Sequence, residues 1–147
     1  MRFMMLMIPR VYQPEAEKNG TALHGAPPAD LVAKMMKYNS DLQKAGILLA
    51  LDGLHPLSNG ARVNFSGGKP QVVDGPYAEA KEVLGGYWVI QVKSKEEAVE
   101  WARRCPALDG DVIELRQIQD MSDFPQDVQD VVSKFPDLEA RFGQAKA

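Results

Sequence analysis

The order of apolar runs and helical stripes along this chain predicts an α+β sandwich. Its expected form is an antiparallel sheet with two helices on one face and a hairpin inserted between the two halves. Three observations carry that expectation. Phe3–Ile8 is continuously apolar, as a strand covered on both faces would be. Two helix-patterned segments each lie between strand-like runs, so the chain reads β-α-β twice. Between the two units, "ARVNFSGGKPQVV" reads as a hairpin that turns at Ser66-Gly67-Gly68-Lys69-Pro70, with Val63 and Phe65 on one face.

Each element follows from its residues. Residues 10–29 are polar and interrupted by Pro14, Gly20, Gly25, Pro27 and Pro28, which predicts a long loop. From Leu31 the apolar positions Leu31, Met35, Tyr38, Leu42 and Ala45 step by four and three, one face of a helix that stops at Gly46. "ILLALDGL" (47–54) is the second strand and "YWVIQV" (87–92) the third. Ser94 with Glu97 forms a capping box for a helix whose buried side is Ala98, Trp101, Ala102 and Cys105, and Pro106 ends it. "DVIELRQI" (111–118) is the last core strand. "FPQDVQDVVSKF" predicts a peripheral helix, so the division expected is a domain over 1–120 and a C-terminal tail over 121–147. A βαββαβ order of this spacing gives a ferredoxin-like sandwich. Its helices cover one face of the sheet only. Phe3–Ile8 is apolar at both sets of alternate positions, so the second face also needs cover, and the sheet of a second copy is the economical source. A homodimer is expected.

Composition narrows the classes. A chain of 147 residues with 45% hydrophobic content builds one core without staples. The net charge of −3, with Lys and Arg scattered, argues against direct nucleic-acid binding. One cysteine, Cys105, excludes an internal disulfide and a multi-cysteine metal site, and fits a reducing, cytoplasmic setting. No apolar run approaches the ~18 residues of a membrane span. The opening apolar run lacks a small-residue cleavage site, so it reads as a strand and not as a signal peptide.

The stretch "VVDGPYAEAKEVLGGYWVI" (72–90) concentrates charge and backbone constraint between two strands. Its structural reading is a turn. Gly75 before proline is held extended, Pro76 is pre-set for the first turn of a short helix, and Asp74 caps it. Glu79, Lys81 and Glu82 are then a solvated face. The functional reading makes the turn one wall of a pocket. His55, at the end of the second strand in "GLHP", would pair with Asp74 as a general base near neutral pH. Lys81 or Arg62 would hold an anionic substrate beside Glu79 and Glu82, and Tyr77 would supply a phenolic proton. A lone histidine before proline is as readily a surface residue. His24, His55 and Asp74 show no metal-ligand spacing, so no metal is expected, and the absence of GxGxxG leaves no sign of a nucleotide cofactor. Glu114 and Arg116 share a strand face as an ion pair, and Cys105 reads as packing.

The same stretch, followed by "SKEEAVEWARRCP" and "IELR" and preceded by "LQKAGILLALDGLHP", resembles the YCII-related family, in the branch named for its Asp-Gly-Pro-Phe motif. The resemblance covers about residues 1–118. It implies a dimeric α/β barrel, in which two ferredoxin-like units pack sheet to sheet. Some relatives are cofactor-free acid–base enzymes that work through a His–Asp pair, whereas other members stand in a transcription-linked setting. Two functions therefore stay open: a small-molecule-binding homodimer with isomerase- or lyase-type chemistry, or a non-catalytic module that senses a metabolite or contacts a protein. This chain departs from the pattern twice. Tyr77 stands where the motif has Phe, and residues 30–45 hold no counterpart of the enzymatic relatives' histidine.

Overall fold

In the computed structural model, which describes residues 1–23, 25–77, 80 and 82–139, the elements run β1 (Arg2–Ile8), α1 (Pro14–Lys18), α2 (Ala29–Lys44), β2 (Leu48–Gly53), β3 (Ala61–Ser66), β4 (Lys69–Asp74), β5 (Gly86–Gln91), α3 (Lys95–Arg103), β6 (Val112–Gln117), α4 (Gln126–Val132) and α5 (Pro136–Glu139). Strands β2-β5-β1-β6 form a four-stranded sheet, and β3-β4 form a separate two-stranded one. Every neighbouring pair is antiparallel. The two βαβ units interleave so that β1 and β5 are central, which is the ferredoxin-like arrangement expected from the sequence.

Strand periodicity sorts the side chains. Phe3, Met5 and Met7 of β1 face the helices with Trp88, Ile90 and Val92, and meet Tyr38 and Leu42 of α2 and Ala98 of α3 in one core. The polar tips of the large aromatics are satisfied within it. The Trp88 indole N–H donates to Asn39 Oδ1 at 2.8 Å, and the Tyr38 hydroxyl donates to the Trp101 carbonyl at 2.9 Å. The two rings meet edge to face, centroids 6.0 Å apart. Ser94 caps α3 by accepting from the Glu97 N–H at 3.2 Å, while Glu97 reaches back to the Lys93 N–H at 2.7 Å.

On the opposite face lie Met4, Leu6, Tyr87 and Val89, each only partly buried. Asp52 accepts from the Tyr87 hydroxyl at 2.9 Å there, which raises the phenol's pKa. Arg116 and Glu114 pair at 3.3 Å along the same face.

Three expectations need correction. Residues 10–29 are not all loop. Arg10–Tyr12 makes a short 3-10 turn and Pro14 opens α1, because proline suits the first helical position and Glu15 and Glu17 follow it there. Pro70 lies within β4 and not in the turn, since the positive φ values of Gly67 and Gly68 complete a two-residue hairpin turn without it. Between Asp74 and β5, the described residues form no helix. The Gly75–Pro76 peptide is cis, and the chain runs on irregularly through Tyr77, Ala80 and 82–85.

Among the described residues, no helix is long and apolar enough to cross a membrane. None of the central core cluster comes from beyond β6, and Val131, Phe135 and Leu138 of the C-terminal segment are exposed.

Candidate ligand-binding site

The Asp-Gly-Pro-Tyr turn sits where the hairpin leaves the body. Gly75 donates its N–H to the Gly60 carbonyl at 2.9 Å, which extends the β3–β4 ladder by one bond. A side chain at Gly75 would overlap the Leu57 carbonyl, so close backbone approach demands glycine at this position. Tyr77, half-buried, lies under the Arg62 guanidinium at 4.0 Å from the ring centroid, a cation–π contact that ties the hairpin to the turn. Gln13 fixes the far side of the turn. Its amide accepts from the Val83 N–H at 2.9 Å and donates to the Val83 carbonyl at 3.0 Å and the Pro9 carbonyl at 2.7 Å.

These contacts frame a cavity of about 430 Å³ between residues 11–23, the Pro56–Ser58 connection and the motif. Tyr12, Lys18, Leu57, Ser58, Tyr77 and Val83 contribute its walls. A largely apolar cleft with a few polar groups is the usual form of a small-molecule site. An adjoining cavity of about 480 Å³ is lined by Tyr12, Leu31, Met35, Met36 and Leu108. A third, of about 430 Å³, holds His55 against Tyr12, Pro27 and Pro56. Tyr12 borders all three.

Of the residues singled out from the sequence, the structure joins Arg62 and Tyr77 but does not join His55 and Asp74. His55 is exposed, and Asp74 is the exposed last residue of β4, opposite Ala61. Among the described residues the two share no hydrogen bond or ion pair. Glu82 is exposed and borders a different cavity beside Lys18 and Asn19. His24, Glu79 and Lys81 lie outside the described residues. No group of three or more His, Cys, Asp or Glu side chains among the described residues could hold a metal. Cys105 packs against the core, where burial, with Asp111 adding to it, pushes the thiol up to about 12. Tyr12 and Gln13 went unremarked in the sequence because they fall in a proline-broken loop. An aromatic residue amid polar loop residues is the one signal that could have drawn attention to Tyr12.

The chain is 39% identical over 74 residues to an uncharacterised protein of Rhizobium meliloti, a match spanning 50% of this chain and 56% of the relative. The chain thus covers little more than half of that relative's length. The model of the YCII-related domain matches residues 1–122, from the first strand of the sheet to just past its last. The chain belongs to the YCII-related family.

Proposed function

We propose that this protein is a small-molecule-binding homodimer of the Asp-Gly-Pro-Phe type, with its ligand seated in the cavity beside Tyr77. One observation carries the reading: the motif that the sequence singled out forms a wall of a cavity closed by two other, distant segments. Glu17 and Lys18 offer charges of opposite sign and Ser58 a hydroxyl, and Tyr12, Leu57 and Val83 offer apolar contact, so a small, mainly apolar organic molecule with a polar end fits best. Arg62 holds the Tyr77 ring in place from behind. The open face of the sheet supports the dimer, because its apolar centre gains cover only from a second body.

Binding is favoured over acid–base catalysis. A His55–Asp74 base would need a contact that the described residues do not make, and His55 lies in the neighbouring cavity. A non-catalytic sensor in a reducing, cytoplasmic compartment, where the single Cys105 thiol persists, is the form of the function that fits best.

The test uses 1-anilinonaphthalene-8-sulfonate, an anionic aromatic probe. Saturable fluorescence enhancement is expected, weakened several-fold by Lys18→Ala and abolished by Ser58→Trp, which fills the cavity. Equal binding by the parent and Ser58→Trp would refute the site.

A further inference from the structure

Every residue of β3 and β4 is exposed, although the ladder between them is complete from Ala61↔Asp74 to Ser66↔Lys69. An isolated two-stranded hairpin is marginal in water at best. This one also carries an apolar face. Val63, Phe65, Pro70 and Val72 alternate onto one side, with Phe65 84% exposed, Val72 68% and Val63 50%. A solvated ribbon has no use for such a face, and contiguous exposed apolar surface marks an interaction site.

The body holds this ribbon at a set angle. Gly75 lies against Leu57, its N–H bonds Gly60, and Arg62 stacks on Tyr77, all at the root of the arm. The constraint concentrated in the Asp74-Gly75-Pro76-Tyr77 turn thus fixes an element that touches little of its own chain. Pre-set orientation lowers the ordering cost of docking on another body.

Area and apolar character indicate which body. The arm springs from between β2 and β5, at the edge of the sheet whose outer face is open. Four strands about 4.8 Å apart and roughly six residues long give that face a flat footprint of ~400 Å². A stable interface takes about 800 Å² from each partner. The sheet alone falls short, and an apolar arm beside it supplies area of the kind that is missing. Arg62 and Lys69 lie on the other side of the ribbon, so the docking face is apolar apart from Asp74 at its root, and it suits the apolar sheet face of a second copy of the same chain.

We propose that the β3–β4 arm is an intermolecular clasp that lays its Val63–Phe65–Val72 face on a second copy of this chain, with its direction set by the Asp-Gly-Pro-Tyr turn. This rests on the homodimer reading above, and the test separates the two. The full chain, carrying a photoreactive benzophenone amino acid in place of Phe65, is irradiated at micromolar concentration. Sedimentation of the parent and of a Phe65→Ser, Val72→Ser double variant gives the self-association constants.

The clasp predicts a covalent two-chain product and at least tenfold weaker association in the double variant, with its circular dichroism unchanged. A dimeric parent that gives only single-chain product, or a double variant that associates like the parent, overturns the clasp and leaves the dimer standing. A monomeric parent overturns both.

Discussion

A methyl group on Gly75 would collide with the Leu57 carbonyl, whereas one on Gly25 would meet nothing within 4 Å. Gly75→Ala is therefore expected to cost about 1–3 kcal/mol, the usual range for overpacking, and Gly25→Ala less than about 0.5 kcal/mol. Urea denaturation of the two variants checks the contrast. Gln13→Ala removes three hydrogen bonds to Pro9 and Val83, and leaves part-buried backbone groups unpaired. A loss of roughly 1–3 kcal/mol is expected from the same measurement. At this scale the sequence was only partly legible. Asp74, Gly75, Pro76 and Tyr77 stood out because their backbone chemistry is unusual, and they do organise a junction. Gln13 could not stand out, because a glutamine becomes a clamp only once the fold brings it to Val83. The His55–Asp74 pairing required spatial knowledge of a connection whose path the sequence does not encode locally.

The elements were more legible, since period and punctuation are local. The stripe Leu31–Met35–Tyr38–Leu42 marked α2, and Ser94 with Glu97 marked the start of α3. Helix α1, at five residues, is too short to show a period, and Pro14 reads as a breaker until it is seen at the first helical position. Just beyond α3, Cys105 offers a test of burial. Its thiol is pushed from an ordinary 9.0 up to about 12, so the folded chain keeps the proton to higher pH than the unfolded chain does. The associated stability is complete below about pH 9 and is lost as pH rises toward 12. Tyr38, also raised by burial, acts in the same direction at still higher pH. Cys105→Ala should flatten the decline of melting temperature between pH 9 and 11, and alkylation of native Cys105 by iodoacetamide at pH 8 should be far slower than in urea. Native and unfolded chains alkylating at equal rates would contradict the burial. Removal of α4 and α5 by truncation after Phe124 keeps the Arg2–Asp120 bridge and the Asp120–Asp123 capping box. The truncated chain should stay folded, with at most a moderate fall in melting temperature by calorimetry.

For the molecule as a whole, the sequence carried the fold further than the function. The doubly apolar Phe3–Ile8 run already required something on both faces of the sheet, and the structure shows helices on one face and only partly buried apolar side chains on the other. Family membership agrees with that architecture, but a pocket's occupant depends on side chains gathered from Tyr12, Ser58 and Tyr77, which no local pattern links. The central claim is that a second copy covers the open face around Met4, Leu6, Tyr87 and Val89. Its most direct test is the light-scattering mass of the parent and of Leu6→Arg, which sets a charge in the middle of that face. Twice the 16.2 kDa chain mass is expected for the parent at micromolar concentration, and a folded chain shifted to single mass for Leu6→Arg. A parent that runs cleanly at 16.2 kDa would contradict it.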